Sequence, residues 1–168
     1  MPMSMPALRF ARPALLPLAA LAAGLTLAAC SMGGGGGATS SIALAPGLSA
    51  RMDQPGASLD RAQAIAIINA YRATQGIAPL TPDAGLDGTA QVLANQYAQT
   101  GTPPKTPQEL KGMKLSAGYA TFAETFSGWR NNPADAAGLK TNATKAGVAM
   151  AYNGTSSYGV HWVLVLGN

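Results

Sequence analysis

At 168 residues with a formal charge of +4, the chain has room for one modest domain and an N-terminal leader, and length alone argues against two full domains. Charged residues make up only 11% of it, and the basic ones are dispersed rather than gathered into a stripe, which excludes a nucleic-acid binder that works by tracking a phosphate backbone. Cys30 is the sole cysteine, so neither a disulfide framework nor a thiolate-built zinc site is available.

In chain order, Arg9 and Arg12 precede an uncharged run over residues 14–29 that ends in Leu27-Ala28-Ala29-Cys30. A positive start followed by an apolar stretch of this length is the pattern of a secretory signal. Sixteen residues interrupted by Pro17 and Gly24 fall short of the roughly 20 that span a bilayer comfortably. The ending resembles the lipobox of bacterial lipoproteins. That resemblance implies cleavage after residue 29 and lipidation of Cys30, with the membrane as a partner reached through acyl chains of the palmitate type. It places the mature protein in the cell envelope, outside the cytoplasm. Ser31 stands where an aspartate retains many lipoproteins at the inner membrane, so the outer membrane is the expected site in a two-membrane host. Residues 30–168 keep nine Lys and Arg against seven Asp and Glu, a net charge of +2.

Five glycines at 33–37 and a Pro, Gly and Ser-containing stretch to Ser58 are too poor in apolar residues to offset the entropy of ordering. Residues 30–57 are therefore expected to be a flexible tether, and 58–168 the folded domain. A helix is predicted from a Ser58 cap to Gly76, with Leu59, Ala62, Ile65, Ile68 and Tyr71 at helical spacing. A second runs from about Pro82 to Thr100 through Leu86, Ala90, Leu93, Ala94 and Tyr97. Residues 101–107, with three prolines, end it. A third covers 122–130 and aligns Phe122, Phe126 and Trp129. Asn132-Pro133 opens a fourth toward Leu139.

Toward the C-terminus the period changes to two, and residues 146–152 and 158–166 read as antiparallel strands joined through Asn153-Gly154. Val160, Trp162, Leu164 and Leu166 fall on one face of the second strand, His161, Val163 and Val165 on the other. A strand apolar on both faces is covered on both faces. The fold class predicted is α+β, a three-layer α/β/α sandwich around a small central antiparallel sheet.

Residues 59–167 resemble the CAP (SCP-like) superfamily. The resemblance rests on Asn69-Ala70-Tyr71-Arg72 followed by Gly76 and Leu80, on Trp129-Arg130-Asn131-Asn132-Pro133-Ala134-Asp135, on Gly147-Val148-Ala149-Met150 and on the closing His161 to Gly167 segment. Family membership implies a cleft in which two histidines and two acidic residues can hold a divalent cation. Here Gly112-Met113-Lys114 stands where the family has Gly-Glu-Asn, Asp135 replaces the last histidine, and residues 101–107 contain no histidine. Glu124, one turn before Trp129, is the nearby carboxylate. The candidate cleft is thus Met113, Glu124, Trp129, Asp135 and His161. The expectation is no metal, no cofactor and no catalytic residue, because these side chains do not add up to three or four converging ligands or to a nucleophile with base and orienting group. His161 is expected as a packed wall residue and Asp135 as a first-turn helix carboxylate. The function implied is binding, of an envelope protein partner or of a lipid or other apolar small molecule in a cleft that Met113 makes more hydrophobic. The alternative is a divergent metal-dependent or hydrolytic CAP enzyme.

Overall fold

The computed structural model describes residues 45–168; the expected signal segment, Cys30 and the polyglycine run lie outside the described residues. Nine elements follow in order: α1 (Pro46–Ser49), α2 (Arg61–Thr74), β1 (Thr81–Pro82), α3 (Ala84–Thr100), β2 (Gly112–Ala117), α4 (Phe122–Asn131), α5 (Pro133–Leu139), β3 (Lys145–Tyr152) and β4 (Val160–Gly167).

The helix starts are set by side chains that accept orphan backbone N–H groups. Asp60 accepts from Gln63 N, Asp83 from Leu86 N, and Asn132 from Ala134 N and Asp135 N. The cap of α2 is therefore Asp60 and not Ser58, two residues later than the sequence suggested. Thr121 and Glu124 form a reciprocal capping box at the head of α4. At its other end α3 closes on Gly101 at φ 65°, a left-handed residue that glycine adopts without steric cost.

The sheet has the order β1-β3-β4-β2. The predicted hairpin is present as β3 and β4, paired from Lys145 with Gly167 to Tyr152 with Val160. The sheet is not purely antiparallel, because β1 joins β3 in parallel. β2, which the sequence does not signal as a strand, pairs antiparallel with β4 at the far edge. Its residues alternate, Met113, Leu115 and Ala117 against Gly112, Lys114 and Ser116, which is the signature of a strand whose two faces meet different surroundings.

Three layers result. Val163 and Val165 of β4, with Ala149 and Ala151 of β3, pack against Ala90, Leu93, Ala94 and Ala98 of α3. On the opposite face Trp162, Leu164 and Leu166 meet Ile65 and Ile68 of α2, Phe122, Phe126 and Trp129 of α4, and Leu139 of α5. The two-faced reading of β4 is thus realised.

The tether was expected to run to residue 57, but residues 45–57 belong to the folded body. Leu48 and Met52 are buried in the larger core cluster, and Met52 N donates to Ala120 O at 2.7 Å, fastening the segment to the loop before α4. Leu48 and Met52, with Ser49, Ala50 and Arg51 between them, are too short a run for a readable period.

The Asn-x-x-Arg of α2 has a physical meaning. Asn69 pairs reciprocally with the backbone of Leu80 at 2.8 Å in both directions. Arg72, 1% exposed, donates to the carbonyls of Ala78, Leu139, Thr141 and Ala143. A buried guanidinium thus ties the α2–β1 loop to the α5–β3 loop.

Candidate functional site

The five cleft candidates do not converge. Met113 and His161 sit on the α3 face of the sheet, as the β2–β4 register requires. Trp129 is 1% exposed in the opposite core, its indole N–H donating to the carbonyl of Leu115 at 3.0 Å, so it covers the edge strand and does not line an open cleft. Glu124 is engaged with Thr121 N in the capping box. Asp135 accepts from Lys114 Nζ at 2.9 Å, the lysine coming from the position after Met113. An ion pair between α5 and β2 occupies this side of the sheet edge.

Among the described residues no group of three or more His, Cys, Asp or Glu side chains lies close enough to hold a metal ion. These residues do not fit a divalent cation: Met113 offers only a thioether, and the Asp135 carboxylate is already paired with the Lys114 ammonium.

His161 is fully enclosed. Its Nε2 lies 3.2 Å from Ser156 Oγ, and its ring meets Tyr97 edge to face at 4.7 Å between centroids. Nδ1 has no hydrogen-bond partner, so the serine–histidine pair lacks the orienting group of a hydrolytic triad. The arrangement locks the β3–β4 turn against the end of α3. Burial lowers the imidazole pKa from its ordinary 6.5.

The sign of the consequence is fixed. The unfolded chain takes up the proton first, so His161 adds nothing to pH sensitivity above 6.5 and costs stability as pH falls below it, until the folded form also protonates. The slope approaches but does not exceed about 1.4 kcal/mol per pH unit. Because the chain has one histidine, urea midpoints measured between pH 7.5 and 5.5 should fall in the parent and stay nearly level in His161→Gln. Parallel curves for the two proteins would refute this assignment.

Two grooves were not foreseen from the sequence. One, of about 570 Å³, lies between α2 and α4 and is lined by Ile67, Ala70, Tyr71, Ala123, Phe126 and Arg130 among others. Tyr71 and Phe126 meet edge to face at 6.0 Å, and the Arg130 guanidinium stands 5.9 Å from the Phe126 ring centre. Ile67, half-buried against the core, and the exposed Ala70 are the available signal: they widen the apolar stripe of α2. The other groove, of about 670 Å³, runs between residues 54–59, α3 and the end of β3.

The profile of the cysteine-rich secretory protein family, CAP, matches residues 65–166. Among solved structures, the protein MpPR-1i superposes with a TM-score of 0.50 at 20% identity, over 61% of this chain and 85% of that one. An extracellular protein containing an SCP domain from Bacillus anthracis str. Ames superposes with a TM-score of 0.51 at 13% identity, over 64% of this chain and 40% of that one. No curated protein sequence matches. The structural likenesses concern the fold, and the profile spans α2 to β4 almost whole; the chain belongs to the cysteine-rich secretory protein (CAP) family.

Proposed function

We propose that this chain is a lipid-anchored, extracytoplasmic CAP domain that acts by binding, and that its ligand is an amphiphile with one acyl chain and an acidic head. The observation that carries the reading is the α2–α4 groove. Its floor of Ile67, Ala70, Tyr71, Ala123 and Phe126 is apolar, while Arg130 at its side has no carboxylate within ion-pair distance among the described residues. An acyl chain gains about 25 cal/mol per Å² buried there, and the acidic head meets an unneutralised guanidinium. The volume falls in the range of small-molecule sites. The apolar site thus lies on the side of the sheet opposite Met113, the neighbourhood in which the sequence suggests it. Cys30 supplies the anchor, so the groove is free for a ligand distinct from the protein's own lipid.

Mass spectrometry of the full chain recovered from bacterial membranes tests both parts. Under denaturing conditions the chain should begin at Cys30 and carry acyl mass. Under native conditions it should retain a further fatty-acid mass that survives chelators. Ala70→Trp, which fills the groove from an exposed position, should abolish the retained mass, and Arg130→Glu should weaken retention about ten-fold or more. A native mass equal to the denatured one would defeat the ligand reading and direct attention to protein partners.

A further inference from the structure

We infer that the second groove, on the α3 side of residues 54–59, is a saccharide site that takes a neutral sugar carrying acetamido groups. Its wall is a fixed row of planar polar side chains. Arg61 Nη2 donates to Gln91 Oε1 at 3.0 Å; Gln91 Nε2 donates to Asn95 Oδ1 at 3.1 Å and to the Met150 carbonyl at 2.9 Å. The Gln91 amide is thereby spent on both sides and serves as a spacer. Asn95 lines the groove; its Oδ1 is taken up by Gln91, while its Nδ2 donates to no partner among the described residues and has two hydrogens to offer. Among the described residues the side chains of Gln54 and Ser58, which complete the wall, make no hydrogen bond that would occupy them.

The donors in this row outnumber the acceptors, which favours a ligand rich in carbonyl and hydroxyl oxygens. The charge is balanced: Arg61 Nη1 lies 3.9 Å from Asp87 Oδ2, so a phosphate or carboxylate gains little over a neutral amide. At the end of the groove stands Tyr152, 37% exposed. Its ring packs over glycines of the β3–β4 turn: a Cβ on Gly154 would come within 3.1 Å of the phenol oxygen, and one on Gly159 within 3.7 Å of the ring. Backbone without side chains supports the ring, which keeps an aromatic surface beside a row of amide donors. An aromatic surface for the C–H face of a pyranose, with planar amides and a guanidinium for its hydroxyl and acetamido oxygens, is the complement of an N-acetylated sugar. The volume of about 670 Å³ is of ligand size.

The test is a titration of the isotope-labelled full chain with tri-N-acetylchitotriose, followed by NMR and paired with sedimentation on insoluble chitin. Saturable shifts in the side-chain amides of Gln91 and Asn95 are expected, with the α2–α4 groove residues unmoved. Tyr152→Ala and Asn95→Ala should each weaken binding ten-fold or more while leaving the urea midpoint within error, and cellotriose, which has no acetamido groups, should bind at least ten-fold more weakly. Co-sedimentation in addition to the shifts supports a polymer as the source of the sugar; shifts alone support a free oligosaccharide. The absence of shifts at millimolar trisaccharide, equal binding of cellotriose, or affinity unchanged in both variants overturns the inference.

Discussion

Replacing Arg72 with methionine should destabilise the domain by about 3–5 kcal/mol, the range seen when a buried charge network loses its central partner. The side chain is 1% exposed and its guanidinium reaches four backbone carbonyls, at 2.9 Å for Ala78, 2.8 Å for Leu139, 3.0 Å for Thr141 and 3.5 Å for Ala143. Burial lowers its pKa from the ordinary arginine value, but a group that starts so basic remains charged at neutral pH. Methionine fills much of the volume and leaves those carbonyls to a dry interior. Loss of a midpoint of roughly 10–15 °C is expected for a domain of this size. Arg72→Lys separates charge from geometry: one ammonium cannot reach carbonyls of two loops in the way a planar fork does. It should recover less than half of the loss. Thermal unfolding followed by the fluorescence of Trp129 and Trp162 measures both, and a methionine variant within 1 kcal/mol of the parent, on the scale where one kcal/mol is already a large effect, would show that the four bonds are dispensable.

This arginine also shows where the sequence stops being legible. Periodicity placed four helices and the closing hairpin because each buries one stripe or both faces, and burial leaves a repeat in the chain. Arg72 sits inside such a helix on the buried side, yet an isolated arginine reads as exposed charge unless its partners are known. Those partners are backbone carbonyls of residues 139–143, which have no side-chain signature. β2 was missed for a different reason. Its alternation is real, but one face carries Lys114, and the strand is six residues long in the short stretch between the Pro-rich segment and Gly118, so its pattern does not stand out from a loop. β1, two residues long, has no period to read. The cleft candidates rest on family position, and position along the chain does not reveal that Met113 and Trp129 lie on opposite sides of the sheet. The α2–α4 groove was partly legible in Ile67 and Ala70, whereas the saccharide wall depends on Arg61, Gln91 and Asn95 coming from two helices, a contact that only the tertiary fold creates.

Gly147 is where a single added methyl group should do the most damage. A Cβ built there would stand 2.1 Å from the backbone carbon of Leu86 and 2.3 Å from the nitrogen of Asp87. The clash is with the first turn of α3, which leans directly on β3, and Asp87 Oδ1 accepts from Val148 N at 2.9 Å across the same contact. Backbone cannot swing aside as a side chain can, so Gly147→Ala must lift the helix from the sheet and separate the smaller core cluster, in which Ala149 meets Ala90 and Ala94. A cost above about 4 kcal/mol is expected, beyond the usual range for overpacking, with most of the protein insoluble on expression. Gly138→Ala is the informative control. There the added methyl would stand 2.2 Å from Lys114 Cε, numerically as close, but the obstacle is the end of a flexible side chain. The lysine can rotate away at the expense of its ion pair with Asp135, a partly exposed contact worth no more than about 1 kcal/mol. Urea unfolding of the two variants should therefore differ by at least 3 kcal/mol, well outside the precision of such extrapolations. Equal midpoints would mean that α3 does not rest on β3 as closely as the structure describes, and the three-layer packing would then need a different account of why the third residue of β3 is a glycine.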